Sequence, residues 1–303
     1  MPRLTLSGPP DFRFLPTVLS HGWCVLRPFS YREDSRALHR VERLRDGTLV
    51  VLEIREGVAP NEVLVEVESD NDLSAEQIDE IRAAVARCLG FDRRLDEFYE
   101  IARSVPGYEW IPETGAGRML ASPTEWEDLA KTLLTTNTTW RMTKEMVSRL
   151  TTLGDARDGQ HAFPTPEQVA ALDAGQLNEH VRAGYRGAYL HDLAVALVER
   201  RINPEAWRDP ALDSKDVYRQ LTSLKGFGPY ASGAMMRLLG RFDELGLDSV
   251  CRAMFRDLWN NGVSASDREI AAHYAPFGRW RGLAVWLDVM REELLAASPT
   301  NPY

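Results

Sequence analysis

The feature that most constrains the fold is the segment SLKGFGPYASG, residues 223–233, in which two glycines precede a proline. Gly226 and Gly228 can adopt backbone conformations that other residues avoid, and they place no side chain over the neighbouring amides. Pro229 suits the first position of a helix, because its missing N–H needs no partner there and its φ is already helical. The apolar residues on both sides recur with helical spacing. The pattern therefore predicts two helices joined by a tight hairpin, over about residues 214–240.

Such a hairpin allows two roles. Its bare N–H groups and the positive end of the following helix can hold a phosphate without reading the sequence of a nucleic acid. It can equally be an ordinary link between helices, because a Gly-x-Gly pattern alone is weak evidence.

The periodicity of the chain changes near residue 122. Before it, two alternating segments meet at Asp46-Gly47, which is a hairpin signal, and NEVLVEVES predicts a further strand. Ser74 and Gln77 then form a capping-box pattern that opens a helix, which Gly90 could end. After it, helical spacing continues to the end of the chain. Helices are predicted at residues 124–136, 140–152, 166–175, 177–183, 188–200, 214–223, 229–240, 249–260 and 280–296.

These patterns predict an α+β fold. Prolines and glycines in residues 103–121 indicate a boundary there. We therefore expect an amino-terminal domain, 1–118, with a small antiparallel sheet and a helix against it. The remainder, 119–303, is predicted to be an all-α, two-lobed region that contains the hairpin.

The composition indicates the broad class of protein more clearly than it indicates the function. A chain of 303 residues, 44% of them hydrophobic, can bury a sizeable core in two or three domains. The net charge of −9 at face value argues against a nucleic-acid partner. However, residues 61–80 hold eight acids and no bases, so the rest of the chain is close to neutral. Local basic patches can still contact phosphate.

The cysteines and apolar runs indicate the compartment. The chain has three cysteines, odd in number and far apart, which indicates free thiols in a reducing compartment: Cys24, Cys88 and Cys251. No cysteine or histidine spacing suits an iron–sulfur cluster or zinc, so we expect no transition metal and no required cofactor. Apolar runs are too short for a membrane span, and the start lacks a secretory signal pattern, so we expect a cytoplasmic protein.

The full hairpin pattern, L-x-G-ϕ-G-P-Y followed by a helix face of small residues (231–234), resembles the helix–hairpin–helix element of the base-excision DNA glycosylase superfamily. Asp248 lies twenty residues after Gly228, where a loop enters another helix. The resemblance makes it the catalytic carboxylate, which would stabilise the positive charge that develops on the sugar or align a water. The residue by itself could also be only a helix N-cap.

The same resemblance bears on the reaction. Bifunctional members carry a lysine nucleophile where this chain has Tyr230, so we expect a monofunctional enzyme that uses water. Lys225 stands at the usual proline position of L-P-G-ϕ-G and is better placed for phosphate than for attack. The ring of Tyr230 could stack on a flipped base or simply pack in the core.

Other stretches extend the resemblance in the same order along the chain. PDFRFLPTVLSHGW resembles the first strand and helix turn of the sheet domain in 8-oxoguanine and alkylated-base glycosylases. In TTNTTW, Asn137 matches an asparagine that contacts the strand opposite the lesion, whereas the two threonines after it depart from the pattern and leave the opposite base undetermined. AGYRGAYLHDLA resembles a G-Y-R-A segment, which implies that Tyr185 wedges into the duplex and Arg186 meets the orphaned base. HYAPFGRWRGLAVWL resembles the closing helix.

The sequence thus predicts a monomeric, monofunctional glycosylase that removes an alkylated or oxidised base, with a purine expected, from double-stranded DNA. An inactive damaged-DNA-binding protein and an unrelated helical interaction protein are the alternatives. The resemblance allows a structural monovalent cation at the hairpin. The predicted phosphate contacts are Lys225, Gly226 and Gly228, with Arg252 as a weaker one. The candidates for the base pocket are His21, Trp23, Trp140, Tyr230 and Phe277. No spacing identifies the lesion, because pocket residues come from distant segments.

Overall fold

The computed structural model describes residues 2–297 and has the predicted α+β fold. Its amino-terminal part is a five-stranded antiparallel sheet with the strand order β1-β5-β4-β3-β2. The strands are β1 (Arg3–Ser7), β2 (Ser30–Arg32), β3 (Ala37–Arg43), β4 (Leu49–Glu56) and β5 (Glu62–Glu68). The predicted turn at Asp46-Gly47 joins β3 to β4, with Gly47 at φ 91°.

Alternation of apolar and polar residues fixes which face of the sheet is covered. Successive side chains of a strand point to opposite faces, so Val50, Leu52 and Ile54 of β4 share one face, and all three are buried. The helix α2 (Ala75–Cys88) packs with its buried residues on this core. Its predicted capping box is present, since Ser74 accepts from the N–H of Gln77 at 3.2 Å.

The rest of the described chain is mainly helical. The helices are α1 (Phe14–Val18), α2, α3 (Asp96–Ser104), α4 (Trp110–Thr114), α5 (Glu125–Thr135), α6 (Trp140–Thr151), α7 (Pro166–Ala170), α8 (Ala174–Val181), α9 (Tyr185–Val198), α10 (Ser214–Ser223), α11 (Pro229–Leu238), α12 (Ser249–Trp259), α13 (Asp267–His273), α14 (Arg281–Val289) and α15 (Arg291–Ala296). Short 3₁₀ turns lie at Gly22–Val25, Pro204–Arg208 and Ala275–Trp280, and β6 (Ala156–Arg157) pairs with β7 (Gln160–His161). No helix in residues 2–297 is both long and apolar enough to span a membrane.

Most predicted helices are confirmed, and the errors lie at caps and breaks. The helix predicted at 166–175 ends at Ala170, because Asp173 caps a new helix by accepting from two N–H groups of the next turn. The helix predicted at 280–296 breaks at Met290 into α14 and α15. The helix α13 was not predicted. The segment PDFRFLPTVLSHGW forms α1 and a 3₁₀ turn, and the first strand lies upstream of it, so that part of the resemblance is corrected.

Two buried clusters hold the molecule together. The first joins the sheet and α2 to α5, α6, α9 and α11. The second joins α3 and α4 to α12, α13, α14 and α15, with ring centroids of Phe98 and Trp280 5.4 Å apart. The helical region therefore has two lobes, and residues 95–116 pack in the second of them. The domain boundary predicted at residue 118 stays a prediction.

The helix α11 lies where these clusters meet, and its small residues decide what approaches it. A Cβ on Gly233 would lie 2.5 Å from the Cα of Gly246. Only glycine at 233 therefore allows the loop that leads to α12 to pass so close to α11. This contact places the start of α12 beside the start of α11, which is the geometry that the site uses.

Candidate active site

A cavity of about 590 Å³ lies between the starts of α6, α11 and α12 and the 3₁₀ turn Gly22–Val25. Its lining includes seven aromatic or ionisable side chains from distant parts of the chain: His21, Trp23, Trp140, Tyr230, Arg237, Asp248 and Trp286. A larger cleft of about 710 Å³ lies elsewhere and contains none of the predicted site residues. Its buried charges neutralise one another, since Glu127 contacts Lys131 at 2.6 Å and Arg40 at 3.0 Å. The smaller cavity is therefore the candidate site.

Asp248 is both a helix cap and a cavity residue. Its Oδ1 accepts from the backbone N–H of Cys251 at 2.8 Å, at the amino terminus of α12. Its Oδ2 makes no hydrogen bond or ion pair with any residue of 2–297, and the side chain is only partly buried. One carboxylate oxygen is thus fixed by the helix, whose dipole favours the anion, and the other remains for a ligand. Capping and catalysis, the two roles that the sequence left open, are compatible here.

Tyr230 is the second residue of α11 and lines the same cavity. Its hydroxyl donates to Oγ1 of Thr135 at 3.3 Å. Burial raises the pKa of the phenol, and the negative charge of Asp248 adds to the shift. The side chain therefore stays neutral, and its ring forms part of the cavity wall.

Three of the other predicted pocket residues line the cavity. Trp140, 42% exposed, packs across the bare backbone of Gly22, where a Cβ would lie 2.3 Å from the indole. Trp23 is buried and is held by donation from its Nε1 to Asp128 at 2.9 Å. The ring of His21 lies against Trp23, with centroids 4.5 Å apart. Aromatic surface therefore faces the cavity from two segments that are distant in sequence.

The prediction that Phe277 lines the base pocket is wrong. Its side chain is completely buried in the second core cluster, where its ring packs edge-on against Tyr108 at 4.7 Å. The 3₁₀ turn Ala275–Trp280 directs it inward, and the sequence alone gave no means to distinguish this from a pocket-facing ring.

His21 is held as a neutral ring. Its Nε2 lies 2.5 Å from the carbonyl oxygen of Leu120, so Nε2 carries the hydrogen and Nδ1 is left as an acceptor. Burial lowers the pKa of the imidazole to about 3, and the positive charges of Arg237 and Lys131 act in the same direction. The ring cannot serve as an acid near neutral pH.

The hairpin joins α10 to α11 as predicted, but only the first of its two glycines has a positive φ. Gly226 lies at φ 86°, and a Cβ there would come within 2.5 Å of Leu133, so glycine is required on two grounds. Gly228 lies at φ −80°, and a Cβ at this position would have no neighbour within 4 Å. The N–H groups of both glycines have no hydrogen-bond partner in residues 2–297. They are thus available to an external acceptor.

The two predicted basic phosphate contacts are already paired. Lys225 donates to Asp192 at 2.7 Å, which raises the pKa of the lysine, and both side chains are exposed. Arg252 donates through two nitrogens to Asp267, at 2.8 and 2.9 Å. A phosphate would have to compete with these carboxylates.

Asn137, Tyr185 and Arg186 come together at the turn between α5 and α6. Asn137, at φ 45°, donates to the hydroxyl of Tyr185 at 3.2 Å, and Tyr185 is 49% exposed. Arg186 is buried, and its guanidinium donates to the carbonyl groups of Thr136 and Asn137, the latter at 2.7 Å. These bonds fix the turn against α9. Donation from Arg186 to an orphaned base stays a prediction and would require them to break.

Comparisons with known proteins agree on the architecture. No family model and no curated protein matches the sequence. Among solved structures, a 3-methyladenine DNA glycosylase from Archaeoglobus fulgidus superposes with a TM-score of 0.73 at 18% identity, covering 98% of this chain and 99% of that one. An 8-oxoguanine glycosylase/lyase from Clostridium acetobutylicum superposes with a TM-score of 0.72 at 16% identity, covering 95% and 96%. The same enzyme in complex with double-stranded DNA gives 0.69 at 17% identity, covering 93% of each chain. The chain has the DNA glycosylase fold.

Two residues that line the cavity, Arg237 and Trp286, are not among the site residues predicted from the sequence. Arg237 is 2% exposed, lines the cavity, and stacks its guanidinium 5.0 Å above the ring of Trp286. A signal was available, because an arginine interrupts the otherwise apolar run AMMRLLG of α11. An arginine within an apolar run indicates a buried cation, yet periodicity alone could not show what it faces.

The cavity residues do not form a metal centre. In the part of the chain that the structure describes, no group of three or more histidine, cysteine, aspartate or glutamate side chains could hold a metal ion. Cys24, Cys88 and Cys251 are free and buried.

Proposed function

We propose that this protein is a monofunctional DNA glycosylase, which flips a damaged base out of double-stranded DNA and hydrolyses its N-glycosidic bond. The observation that carries the proposal is the position of Asp248, with one oxygen capped by α12 and the other free at the mouth of an aromatic cavity. A carboxylate there can stabilise the positive charge of the sugar or align the attacking water.

The neighbouring elements would supply the other steps. The free N–H groups of Gly226 and Gly228 would bind a phosphate of the damaged strand without reading its sequence. Tyr185, exposed and held by Asn137, would fill the space that the flipped nucleotide leaves. The walls formed by Trp140 and Tyr230 would stack on the extruded base, which offsets part of the cost of unstacking.

The absence of an amine supports hydrolysis rather than lyase chemistry. Tyr230 occupies the position of the lyase lysine, and no lysine among the described residues lines the cavity. Lys131 is buried in an ion pair with Glu127, and Lys225 points to Asp192. A Schiff base needs an unprotonated amine at the sugar, and the lining of the cavity, within the described residues, offers none.

We further propose a cytoplasmic monomer without a required cofactor. The carbonyl oxygens of Lys225 and Gly226 accept no hydrogen bond from residues 2–297, so they could coordinate a monovalent cation at the hairpin. Such an ion would rigidify the turn, and the hydrolysis would not pass through it.

The decisive experiment is incubation with a panel of duplexes, each carrying one oxidised, deaminated or alkylated base. Release of a free base, together with an alkali-labile site, is expected for at least one duplex. Asp248→Asn should abolish the release, whereas Asp243→Asn, which alters a nearby loop carboxylate outside the cavity, should not. Tight binding of a lesion without release would instead identify an inactive damaged-DNA-binding protein.

A further inference from the structure

Arg237 is a buried cation without a carboxylate partner. Its side chain is 2% exposed and makes no ion pair with any described residue. Burial lowers the pKa of the guanidinium, and the charge of Asp248 opposes that shift only from a distance. Burying a charge costs free energy unless it is paired and hydrogen-bonded, and no carboxylate among the described residues compensates this one.

The three guanidinium nitrogens of Arg237 are not equivalent. Nη1 donates to the carbonyl oxygen of Leu245 at 3.0 Å, and Nε is buried without a partner. Nη2 also has no hydrogen bond in residues 2–297, but unlike Nε it is not completely buried. Because Arg237 lines the cavity, Nη2 is the donor left to face it.

The charge of Arg237 selects among bases. A base that carries a positive charge, such as a ring-alkylated purine, would be repelled by the guanidinium. The rings of Trp140 and Tyr230 can stack on either kind of base, whereas the face of Trp286 is already covered by Arg237. An uncharged base with an exocyclic carbonyl oxygen would accept from Nη2 through a charge-assisted hydrogen bond. His21 adds a neutral acceptor, Nδ1, on the same cavity, which would suit a ring N–H of such a base.

Arg237 also fits the electron balance of hydrolysis. The electron pair of the N-glycosidic bond leaves with the base, and the oxygen of water bonds to the sugar carbon. One proton of that water passes through the carboxylate of Asp248 and ends on the base nitrogen. Between the departure of the base and its protonation, a base that was uncharged carries a negative charge, whereas a base that was cationic is neutral. A fixed guanidinium beside it stabilises that anion without reorganisation.

We propose that Arg237 binds the carbonyl oxygen of the flipped base, and that the substrates are therefore uncharged, carbonyl-bearing oxidised or deaminated purines rather than cationic alkylated ones. This proposal rests on the glycosylase function proposed above. The proposal adds to that function the class of substrate and the residue that selects this class.

The test compares single-turnover excision by the wild type, Arg237→Gln, Arg237→Lys and a control, Arg45→Gln, whose side chain is exposed on the sheet hairpin. The substrates are duplexes with 8-oxoguanine or hypoxanthine, which are uncharged, and with 7-methylguanine, which is cationic. The wild type should prefer the first two. Arg237→Gln should slow their excision about 100-fold, the order found when one transition-state donor is removed, and should leave 7-methylguanine unchanged or faster. Arg237→Lys should recover part of the loss.

A purely structural role for Arg237 predicts a different result. Arg237→Gln would then slow all duplexes equally, which would overturn the proposal. Excision by the wild type confined to 7-methylguanine would overturn it too, while leaving the glycosylase function intact. No release from any of these three duplexes would overturn the proposal, and no release from the wider panel described above would overturn the glycosylase function as well.

Because Arg237→Gln could fail to fold, a second measurement uses the wild type alone. Quenching of the cavity tryptophans is followed on titration with the nucleosides 8-oxo-2′-deoxyguanosine and 7-methylguanosine. Quenching by the first and not by the second is expected. The reverse order would contradict the proposal.

Discussion

Asp248 accepts the N–H of Cys251 through one carboxylate oxygen, at 2.8 Å, and keeps the other free at the cavity. This division separates its structural role from its chemical one. Asn can cap a helix as well as Asp, but it carries no charge. We therefore expect Asp248→Asn to lower excision at least 100-fold, on the order of the loss of one transition-state contact, while changing the melting temperature little. Asp248→Ala should also lose about 1 kcal/mol of unfolding free energy with the cap. A large fall in the melting temperature of Asp248→Asn, alongside the loss of excision, would contradict this separation.

The two hairpin glycines should respond differently to alanine. Gly226→Ala introduces a side chain at φ 86° and within 2.5 Å of Leu133, so we expect a loss of about 2 kcal/mol or more. Gly228→Ala meets open space at an ordinary φ and should change stability by less than about 1 kcal/mol. Chemical denaturation measures both, and each variant is the control for the other. Similar losses in the two would contradict the geometry.

The ion pair between Lys225 and Asp192 gives a prediction about DNA affinity. Lys225→Ala should weaken binding to any duplex and reduce the slope of log affinity against log salt by about 1, if the lysine contacts phosphate. Asp192→Asn removes the competing carboxylate and should strengthen binding. Fluorescence anisotropy at several salt concentrations provides both values. Unchanged slopes in both variants would show that Lys225 makes no phosphate contact.

Tyr230 gives a prediction about covalent chemistry. Borohydride should trap no adduct between the wild type and abasic DNA, because no amine lines the cavity in the described chain. Tyr230→Lys places an amine at the start of α11 and should gain trapping. Denaturing electrophoresis separates the adduct. Efficient trapping by the wild type would overturn the monofunctional assignment.

His21 predicts a pH dependence of stability. Its folded pKa, about 3, lies below the ordinary value of 6.5, so the unfolded chain binds a proton that the folded chain excludes. Stability from this group is present above pH 6.5 and is lost as the pH falls toward 3. Between about pH 6.5 and about pH 4 the loss should be on the order of 3 kcal/mol.

Two buried carboxyl groups also titrate near this range, because burial raises the pKa of Glu42 to about 7 and that of Asp128 to about 6. The contribution of His21 is therefore isolated by difference. His21→Gln keeps a donor for Leu120 and removes the titration. Its unfolding free energy should depend on pH less steeply than that of the wild type. Parallel curves for the two proteins would contradict a neutral, buried imidazole.

The sequence by itself determined the local structural features, namely turns, helix caps and helix starts. The backbone demands of Gly226 and Pro229, the capping box at Ser74 and the turn at Gly47 all act within a few residues, so their patterns predicted real structure. Asp248 was placed at the start of a helix for the same reason.

Only the tertiary structure decided what faces the cavity. The sequence makes Phe277 a candidate for the base pocket, but its side chain lies in the core. Arg237 lines the pocket and is not among the candidates that the sequence identifies. Pocket walls are assembled from segments that lie far apart in the chain, and no local period records which side chain will meet which. Packing between the two lobes determines which side chains face the cavity, and these contacts form only when the chain folds.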